Sequence, residues 1–344
     1  METEGSTTCE DSVAKTADGG SHFSVLGVAD SWSCSNNPPA QFLAFDDHGD
    51  GFLYGPQLFV THDGGTTWTP DPQTGAVVAV AALGYSIWMV EGTCPANATY
   101  SAMCPLQVLT STDGGGSWQQ TPSEPGATAS VGALSLAPAQ GQTWLVRLSV
   151  SAAYVLSTPT SSPSGAPNVT PLWHTTDGGR TWTSGQIQCG LLALSTMMTV
   201  APDGALVAIC ASGPSTGFQP KSMAVSTTGG ATWAVQSQCA DRASAQCNAS
   251  ALSFGYLGSI AATSADTAFV TGDRTPLLVT YDGGLSWHSE SVTNGNGQPA
   301  QVVFFDAEQG VVLGRDSSNT VAIWHTVDGG STWSELVPSG LSAA

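Results

Sequence analysis

One eight-residue pattern recurs along the chain and constrains the fold more than any other feature. It reads [ST]-x-D-G-G-x-[ST]-W, and its tryptophans follow one another at intervals of 50, 64, 51, 54 and 46 residues. The six copies begin and end at Thr61–Trp68, Ser111–Trp118, Thr175–Trp182, Ser226–Trp233, Thr280–Trp287 and Thr326–Trp333. A self-similar unit of about 50 residues predicts a repeat architecture rather than a mosaic of unrelated domains.

The octet has the chemistry of a hairpin tip. Paired glycines adopt positive φ angles at little cost, and an aspartate can accept hydrogen bonds from the N–H groups of its own turn. The closing tryptophan starts the next strand and covers the turn with an apolar face. We therefore expect structural roles for the octet residues, which are Asp63, Trp68, Asp113, Trp118, Asp177, Trp182, Thr228, Trp233, Asp282, Trp287, Asp328 and Trp333. Thr228 replaces the aspartate in the fourth copy, so that turn should be held less firmly.

Each octet is preceded by three short apolar runs and followed by a fourth. The fifth unit shows this order, with runs at 259–263, 267–272 and 277–280 before the octet and a run at 287–292 after it. Six such units predict an all-β, six-bladed β-propeller with four antiparallel strands per blade and the octet hairpin between strands three and four. A degenerate seventh blade containing residues 22–32 is the alternative. We expect one propeller domain at residues 22–340, preceded by a polar leader or tether at residues 1–21.

The octet resembles the Asp-box, or BNR repeat, of sialidases, sortilin-type receptors and the photosystem II assembly-factor-like propellers. The resemblance runs through the repeats from about residue 23 to residue 340. It implies the propeller fold and says little about function, because one fold hosts many activities. The assembly-factor-like group pairs repeats of this length with no catalytic set, which favours a non-catalytic module.

The charge balance narrows the possible partners. Lys and Arg number 7 against 26 Asp and Glu, for a net charge of −19. So few cations cannot neutralise many phosphates, which argues against nucleic acid as a partner. We expect a protein or glycan partner and a monomeric chain, with neither a cofactor nor a transmembrane segment.

Eight cysteines are scattered along the chain with no CxxC spacing. This distribution favours disulfides formed in an oxidising compartment, and hence a secreted or cell-surface protein. The close pairs Cys94–Cys104 and Cys239–Cys247 are the first candidates. Cys189–Cys210 and Cys9–Cys34 remain by elimination among 105 possible connectivities.

Ligands of this family bind on the propeller face opposite the Asp-boxes, so residues predicted to end the second strand of each unit are candidate contacts. Guanidinium groups that converge there could hold a carboxylate or sulfate, while pairing with nearby carboxylates into a solvated rim is the alternative. The candidate rim residues are Tyr54, Glu91, Arg147, Asp273, Arg274 and Arg315.

A sialidase-like glycoside hydrolase is the alternative function. Sialidases use three arginines, a nucleophilic tyrosine that comes late in the chain, and an acid; here no arginine precedes Arg147, and Tyr54 comes early. Glu91 and Asp273 are the candidate carboxylate pair of a glycosidase. We expect no catalytic residues of the sialidase type.

No metal site is predicted. Residues 46–51, Asp-Asp-His-Gly-Asp-Gly, faintly resemble a calcium loop but lack its alternating spacing and its final glutamate, so a hairpin turn is expected. The six histidines show neither HxH nor HExxH spacing. The sequence thus favours an exported, non-catalytic binding or scaffolding module.

Overall fold

The computed structural model describes residues 8–35, 41–55, 57–73, 75–95, 97–99, 102–130, 134, 142–157, 169–191, 193–213, 219–239, 252, 254–292, 297–336 and 339. Within these ranges the chain is built of β-strands, and none of its helices is long and apolar enough to cross a membrane. The strands form six antiparallel sheets of four consecutive strands each, one of which carries a fifth strand, and one two-stranded sheet. The predicted six-bladed β-propeller is confirmed.

The strands of a blade follow one another in chain order across its sheet. The N-terminal hairpin consists of β1 (Thr8–Lys15) and β2 (Ser24–Ser33). Blade one contains β3 (Phe42–Phe45), β4 (Gly51–Tyr54), β5 (Leu58–Thr61) and β6 (Thr69–Pro70). Blade two contains β7 (Ala76–Leu83), β8 (Ser86–Gly92), β9 (Met103–Ser111) and β10 (Gln119–Gln120), with β11 (Thr128–Ser130) also paired to β9. Blade three contains β12 (Leu145–Arg147), β13 (Ala153–Leu156), β14 (Val169–Thr175) and β15 (Thr183–Gln188).

The second half of the ring repeats this order. Blade four contains β16 (Ser195–Val200), β17 (Leu206–Ala211), β18 (Lys221–Ser226) and β19 (Ala234–Cys239). Blade five contains β20 (Leu257–Ala262), β21 (Ala268–Gly272), β22 (Leu277–Thr280) and β23 (His288–Glu290). Blade six contains β24 (Gln298–Phe304), β25 (Gly310–Arg315), β26 (Val321–Thr326) and β27 (Ser334–Leu336). First strands of successive blades contact one another from β3 through β24, so they line the inside of the ring.

Hydrophobic packing joins each blade to the next. One cluster combines Phe52 and Val60 of blade one with Ile87 and Met89 of blade two, and the others likewise include residues of more than one sheet. The Asp-box tryptophans contribute, since Trp118 makes an edge contact with Phe52 of the preceding blade at a ring distance of 5.9 Å. The core therefore lies between the sheets, as stacking of twisted sheets around an axis requires.

The Asp-box turns have the predicted local bonding. In blade three, Asp177 Oδ1 accepts hydrogen bonds from the Thr175 hydroxyl at 2.8 Å and from the Thr181 amide at 3.0 Å, and Oδ2 accepts from the Thr181 hydroxyl at 2.7 Å. These bonds lower the pKa of Asp177 to about 2, with those from Thr181 as the largest cause. In four other Asp-boxes the amide four residues after the aspartate likewise donates to its Oδ1, and these aspartates are Asp63, Asp113, Asp282 and Asp328. The carboxylates are thus fully used within their own turns.

The fourth Asp-box offers a direct measure of what the carboxylate contributes. The Thr228 hydroxyl oxygen accepts from the Thr232 amide at 2.9 Å and also contacts the Thr232 hydroxyl at 2.8 Å, so one neutral atom replaces two charged oxygens. We expect Thr228→Asp to raise the melting temperature by roughly 2 °C, because charge-assisted hydrogen bonds are about twice as strong as neutral ones. Differential scanning calorimetry measures this shift. The uncharged Thr228→Asn should recover less than half of it, and an equal gain from both variants would contradict the role given to charge.

The N-terminal hairpin was not anticipated from the sequence. Residues expected to be a polar leader contain β1, which pairs with β2. The turn between them is a seventh Asp-box, because Asp18 Oδ1 accepts from the His22 amide at 2.9 Å and Thr16 donates to the same oxygen at 3.0 Å. His22 and Phe23 occupy the usual Ser/Thr and Trp positions, which is why the octet pattern missed it.

This hairpin lies between blade six and blade one. Val13 packs with Leu53 and Phe59 of blade one. On the other side, the Phe23 amide donates to the Ser339 carbonyl at 2.8 Å, and a Cβ at Gly20 would fall 2.6 Å from Leu336 of blade six. The two-stranded sheet therefore closes the ring of six blades as a partial seventh element.

Three of the four predicted disulfides are confirmed, namely Cys9–Cys34, Cys94–Cys104 and Cys189–Cys210. The first joins β1 to the segment after β2 and so ties down the hairpin. The predicted pair Cys239–Cys247 lies outside the described residues, since Cys247 and the Cys239 side chain are not among them. Disulfides of this number are typical of proteins from oxidising compartments.

Candidate functional site

The two ends of the ring differ in the turns they carry. Turns between strands one and two lie beside the Asp-boxes, because the Gly178 amide donates to the Ser151 carbonyl at 2.9 Å and the Gly329 amide donates to the Glu308 carbonyl at 2.9 Å. We call this end the Asp-box face. Antiparallel strands place the loops between strands two and three, and the connections between blades, at the other end, which we call the opposite face.

A cavity of about 510 Å³ opens on the opposite face at the junction of blades five and six. Its walls come from the loop after β21, the end of β23 and the start of β24. The lining residues are Arg274, Thr275, Pro276, Ser289, Glu290, Ser291, Val292, Gly297, Gln298 and Pro299. We refer to it as the blade five–six cavity.

Arg274 is presented to this cavity by a tight turn. The residue has a φ of 57°, and its side chain is 84% exposed. Its Nε lies 3.6 Å from Asp273 Oδ2, an ion pair so exposed that water competes with it. The guanidinium group thus remains accessible to a ligand.

Arg315 lies on β25, the strand next to the one that lines this cavity. It pairs with Gln298 in the β24–β25 register, and Gln298 is a cavity residue. Arg315 Nη1 donates to the Asn319 carbonyl at 2.8 Å, while Asp316 accepts from the Ser318 and Thr320 amides within the same turn. One predicted rim arginine, Arg274, therefore lines the cavity, and a second, Arg315, lies on the strand next to it.

Two other predicted rim residues face the protein interior. The Glu91 side chain is fully buried in blade two, where it accepts hydrogen bonds from the Gly75 amide and from Gln107 Nε2. Tyr54 packs against the apolar cluster between blades one and two, and burial raises the pKa of its hydroxyl. The carboxylate pair Glu91 and Asp273, considered for a glycosidase, does not face a common cleft.

The predicted position of Arg147 at the end of a second strand is wrong. Arg147 ends β12, the first strand of blade three, because the Ser/Pro/Thr-rich stretch at 157–170 separates strands two and three and shifts the alignment by one strand. Its guanidinium donates to the carbonyls of Ala81 and Ser86 on the Asp-box face and lies over Trp88 at 5.0 Å. Burial lowers its pKa to about 10. Arg147 therefore joins blade three to blade two.

Sequence reasoning missed Glu290 and Gln298. They end β23 and begin β24, and in a propeller these positions meet on the opposite face. The signal that could have found them is their place in the repeat, just before and after each blade-to-blade connection. Glu290 accepts a hydrogen bond from the Tyr281 hydroxyl at 3.3 Å, which leaves its other carboxylate oxygen for a ligand donor.

The site therefore combines the Arg274 guanidinium group, the Glu290 carboxylate and polar side chains in the cavity wall, with Arg315 on the neighbouring strand. Guanidinium groups bind carboxylate and sulfate oxygens in a bidentate manner. Arg180, by contrast, is exposed in the Asp-box of blade three, on the other face. The arrangement is suited to recognition of an anionic group.

A family model described as photosynthesis system II assembly factor YCF48 matches residues 210–320 and again residues 256–341. No curated protein matches the sequence. Among solved structures, YCF48 from Cyanidioschyzon merolae is 16% identical, with 87% of this chain and 86% of that chain covered and a TM-score of 0.51.

Two further structures are less similar in shape. YCF48 bound to D1 peptide is 18% identical, covering 85% of this chain and 96% of that chain, with a TM-score of 0.38. The Trypanosoma rangeli sialidase in complex with sialic acid is 13% identical, covering 76% of this chain and 48% of that chain, with a TM-score of 0.41. The six octets, the six blade sheets, the family model over residues 210–341 and the fold of the Cyanidioschyzon merolae structure agree, and this chain is an Asp-box, or BNR-repeat, β-propeller.

Proposed function

We propose that this propeller is an exported, non-catalytic binding module that recognises an acidic segment of a protein partner at the blade five–six cavity. A glycan that carries carboxylate or sulfate groups is the other ligand with the required chemistry. The observation that carries the proposal is the placement of Arg274 in the wall of this cavity, with Arg315 beside it across Gln298.

These two arginines are significant because positive charge is scarce in this protein. The chain has 7 cationic residues in all, and Lys221 and Arg147 are committed to contacts with carbonyl groups. A protein with a net charge of −19 repels acidic ligands at most of its surface. Binding of an acidic segment would therefore favour the cavity wall that exposes Arg274, with Arg315 on the neighbouring strand.

Two further features support the proposal. The matching family model describes an assembly factor, a class of protein whose work is to contact other proteins. The three disulfides favour an oxidising compartment, in keeping with export. We propose that the module acts as a monomer, since its charge opposes self-association.

Fluorescence anisotropy with a labelled hexaglutamate peptide tests the site directly. The double variant Arg274→Gln, Arg315→Gln should bind at least tenfold more weakly than the natural protein, because each charged hydrogen bond contributes about 1.5–3 kcal/mol. Arg180→Gln, which removes one positive charge on the Asp-box face, is the matched control for the single variants Arg274→Gln and Arg315→Gln. Affinity should also fall as salt is added.

Two results would contradict the proposal. One is an equal loss of binding in Arg180→Gln, which would mean that net charge rather than the site governs affinity. The other is hydrolysis of aryl glycosides, the sialoside included, that Arg274→Gln abolishes. A sulfated oligosaccharide that binds at the same residues while hexaglutamate does not would identify the ligand as a glycan.

A further inference from the structure

The turn between β3 and β4 of blade one holds an acidic cluster on the Asp-box face. Asp46 organises this turn, because its Oδ1 accepts hydrogen bonds from the amides of His48, Gly49 and Asp50 at 2.8, 2.8 and 2.9 Å. Three donors on one oxygen saturate it. The carboxylate is therefore held rigidly, with its second oxygen turned away from these amides.

That second oxygen is anomalous. The Asp46 side chain has no exposed surface, and Oδ2 is buried without a hydrogen-bond partner among the described residues. A buried carboxylate oxygen without a partner is costly, and native proteins leave few of them. The turn at Asp306 differs, because Gln309 Nε2 donates to the second oxygen of Asp306 at 3.1 Å. Asp46 Oδ2 thus points to a missing positively charged partner.

Two further ligand atoms lie beside it. His48 Nδ1 is 3.8 Å from Asp46 Oδ2 and 2.8 Å from Asp47 Oδ1. The three residues each offer one ligand atom within 4.8 Å of the others. The His48 ring is stacked on Tyr85 of blade two, with a centroid distance of 3.6 Å and an angle of 24°. Packing between blades therefore restrains the imidazole, as second-layer contacts do around metal ligands.

We propose that Asp46, Asp47 and His48 bind a divalent transition-metal ion of the zinc class. Metal–ligand distances of about 2.0–2.2 Å for imidazole nitrogen and carboxylate oxygen place donor atoms about 3–3.5 Å apart, so only small side-chain movements are needed. The ion supplies the missing partner of Asp46 Oδ2. An imidazole ligand distinguishes this site from a calcium loop, which uses oxygen ligands alone.

The surroundings leave the site accessible. The three residues line a cavity of about 430 Å³ between β1 and β3, together with Val13, Lys15, Leu43 and Phe45 among others. The cavity has room for water as the remaining ligands. Lys15 also lines the cavity and could pair with these carboxylates instead, but its long side chain is exposed, so that its charged end can lie in water. The sequence predicted a plain hairpin turn at residues 46–51, because they lack calcium-loop spacing, whereas here consecutive residues of one turn bring their ligand atoms together.

Titration with Co²⁺, followed by its visible absorption and by displacement with Zn²⁺, tests the site in the natural protein after dialysis against a chelator. One equivalent should bind with a cobalt spectrum typical of mixed nitrogen and oxygen ligands. His48→Gln and Asp46→Asn should each weaken binding at least tenfold. Asp46→Asn retains an oxygen that can accept the three amide bonds, and an unchanged melting temperature without metal verifies its fold.

His62→Gln and His22→Gln are the controls, because each of these histidines also lies next to an aspartate, at 2.8 and 2.5 Å. They should bind the metal as the natural protein does. The proposal is overturned if no saturable binding occurs, if either control loses as much affinity as His48→Gln, or if calcium binds and zinc does not. None of these readouts depends on the arginines of the opposite face.

Discussion

Replacement of Gly179 by alanine should lower the free energy of unfolding by about 4 kcal/mol, the combined cost of a left-handed backbone and an overpacked contact. Gly179 is the second glycine of the blade three Asp-box and has a φ of 81°. A Cβ there would lie 2.6 Å from Cγ2 and 2.8 Å from Cβ of Thr121, a buried residue that follows blade two. Rotation of the Thr121 side chain moves Cγ2 but not Cβ, whose position the backbone sets, so the 2.8 Å approach cannot be relieved without a backbone shift.

The adjacent Gly178 supplies the matched control. Its φ is 75°, but a Cβ at this position meets no atom within 4 Å. Gly178→Ala should therefore lose only the backbone term of about 1–2 kcal/mol. Urea denaturation of the two variants and the natural protein measures both values. Equal losses would show that the close contact with blade two adds nothing, and that φ alone requires glycine.

The second large effect is a rise in stability with pH that depends on one buried lysine. Lys221 begins β18, has no exposed surface, and donates from Nζ to the carbonyls of Gln219, Phe254 and Gly255 at 2.8, 2.9 and 2.7 Å. Burial lowers its pKa from 10.5 to about 7. Between these values the unfolded chain keeps a proton that the folded chain releases, so the free energy of unfolding increases as the pH rises.

The expected slope is about 1.4 kcal/mol per pH unit, or about 3 kcal/mol between pH 7 and 9.5. Below pH 7 the lysine is protonated in both states and contributes no slope. Urea denaturation at several pH values measures the effect. Lys221→Met should abolish the rise, whereas Lys15→Met, which removes an exposed lysine, should retain it. A flat profile in the natural protein would show that the three carbonyls keep the ammonium charged despite its burial.

The repeat made most of the fold predictable, because local chemistry dictates it. The octets marked six turns, and the flanking apolar runs gave the strands of each blade. The N-terminal hairpin escaped detection since His22 and Phe23 replace the expected residues of its Asp-box. Cys9–Cys34 was obtained only by elimination, although it is the bond that ties this hairpin down.

The candidate site was less predictable, because face and exposure depend on exact strand position. Arg274 lies just after the end of β21, and Arg315 ends β25. Both therefore lie at the end of a second strand, as the repeat predicts. A loop insertion moved Arg147 by one strand and hence to the other face. Glu91 occupies the predicted strand, yet its side chain points into the sheet packing, where Gly75 and Gln107 meet it. Sequence spacing fixes neither an insertion point nor the side of a strand that is buried.

The position of the N-terminal hairpin has a consequence for biosynthesis. The Asp-box of a blade packs against the preceding blade in the sequence, as Gly179 does against Thr121. Most blades can therefore pack on their neighbour as soon as they have been synthesised. The hairpin's own Asp-box settles instead against Leu336, the last strand of the ring. The hairpin strands must therefore wait for the strands of blade six, so closure of the ring depends on a contact between distant parts of the sequence and is expected to be slow.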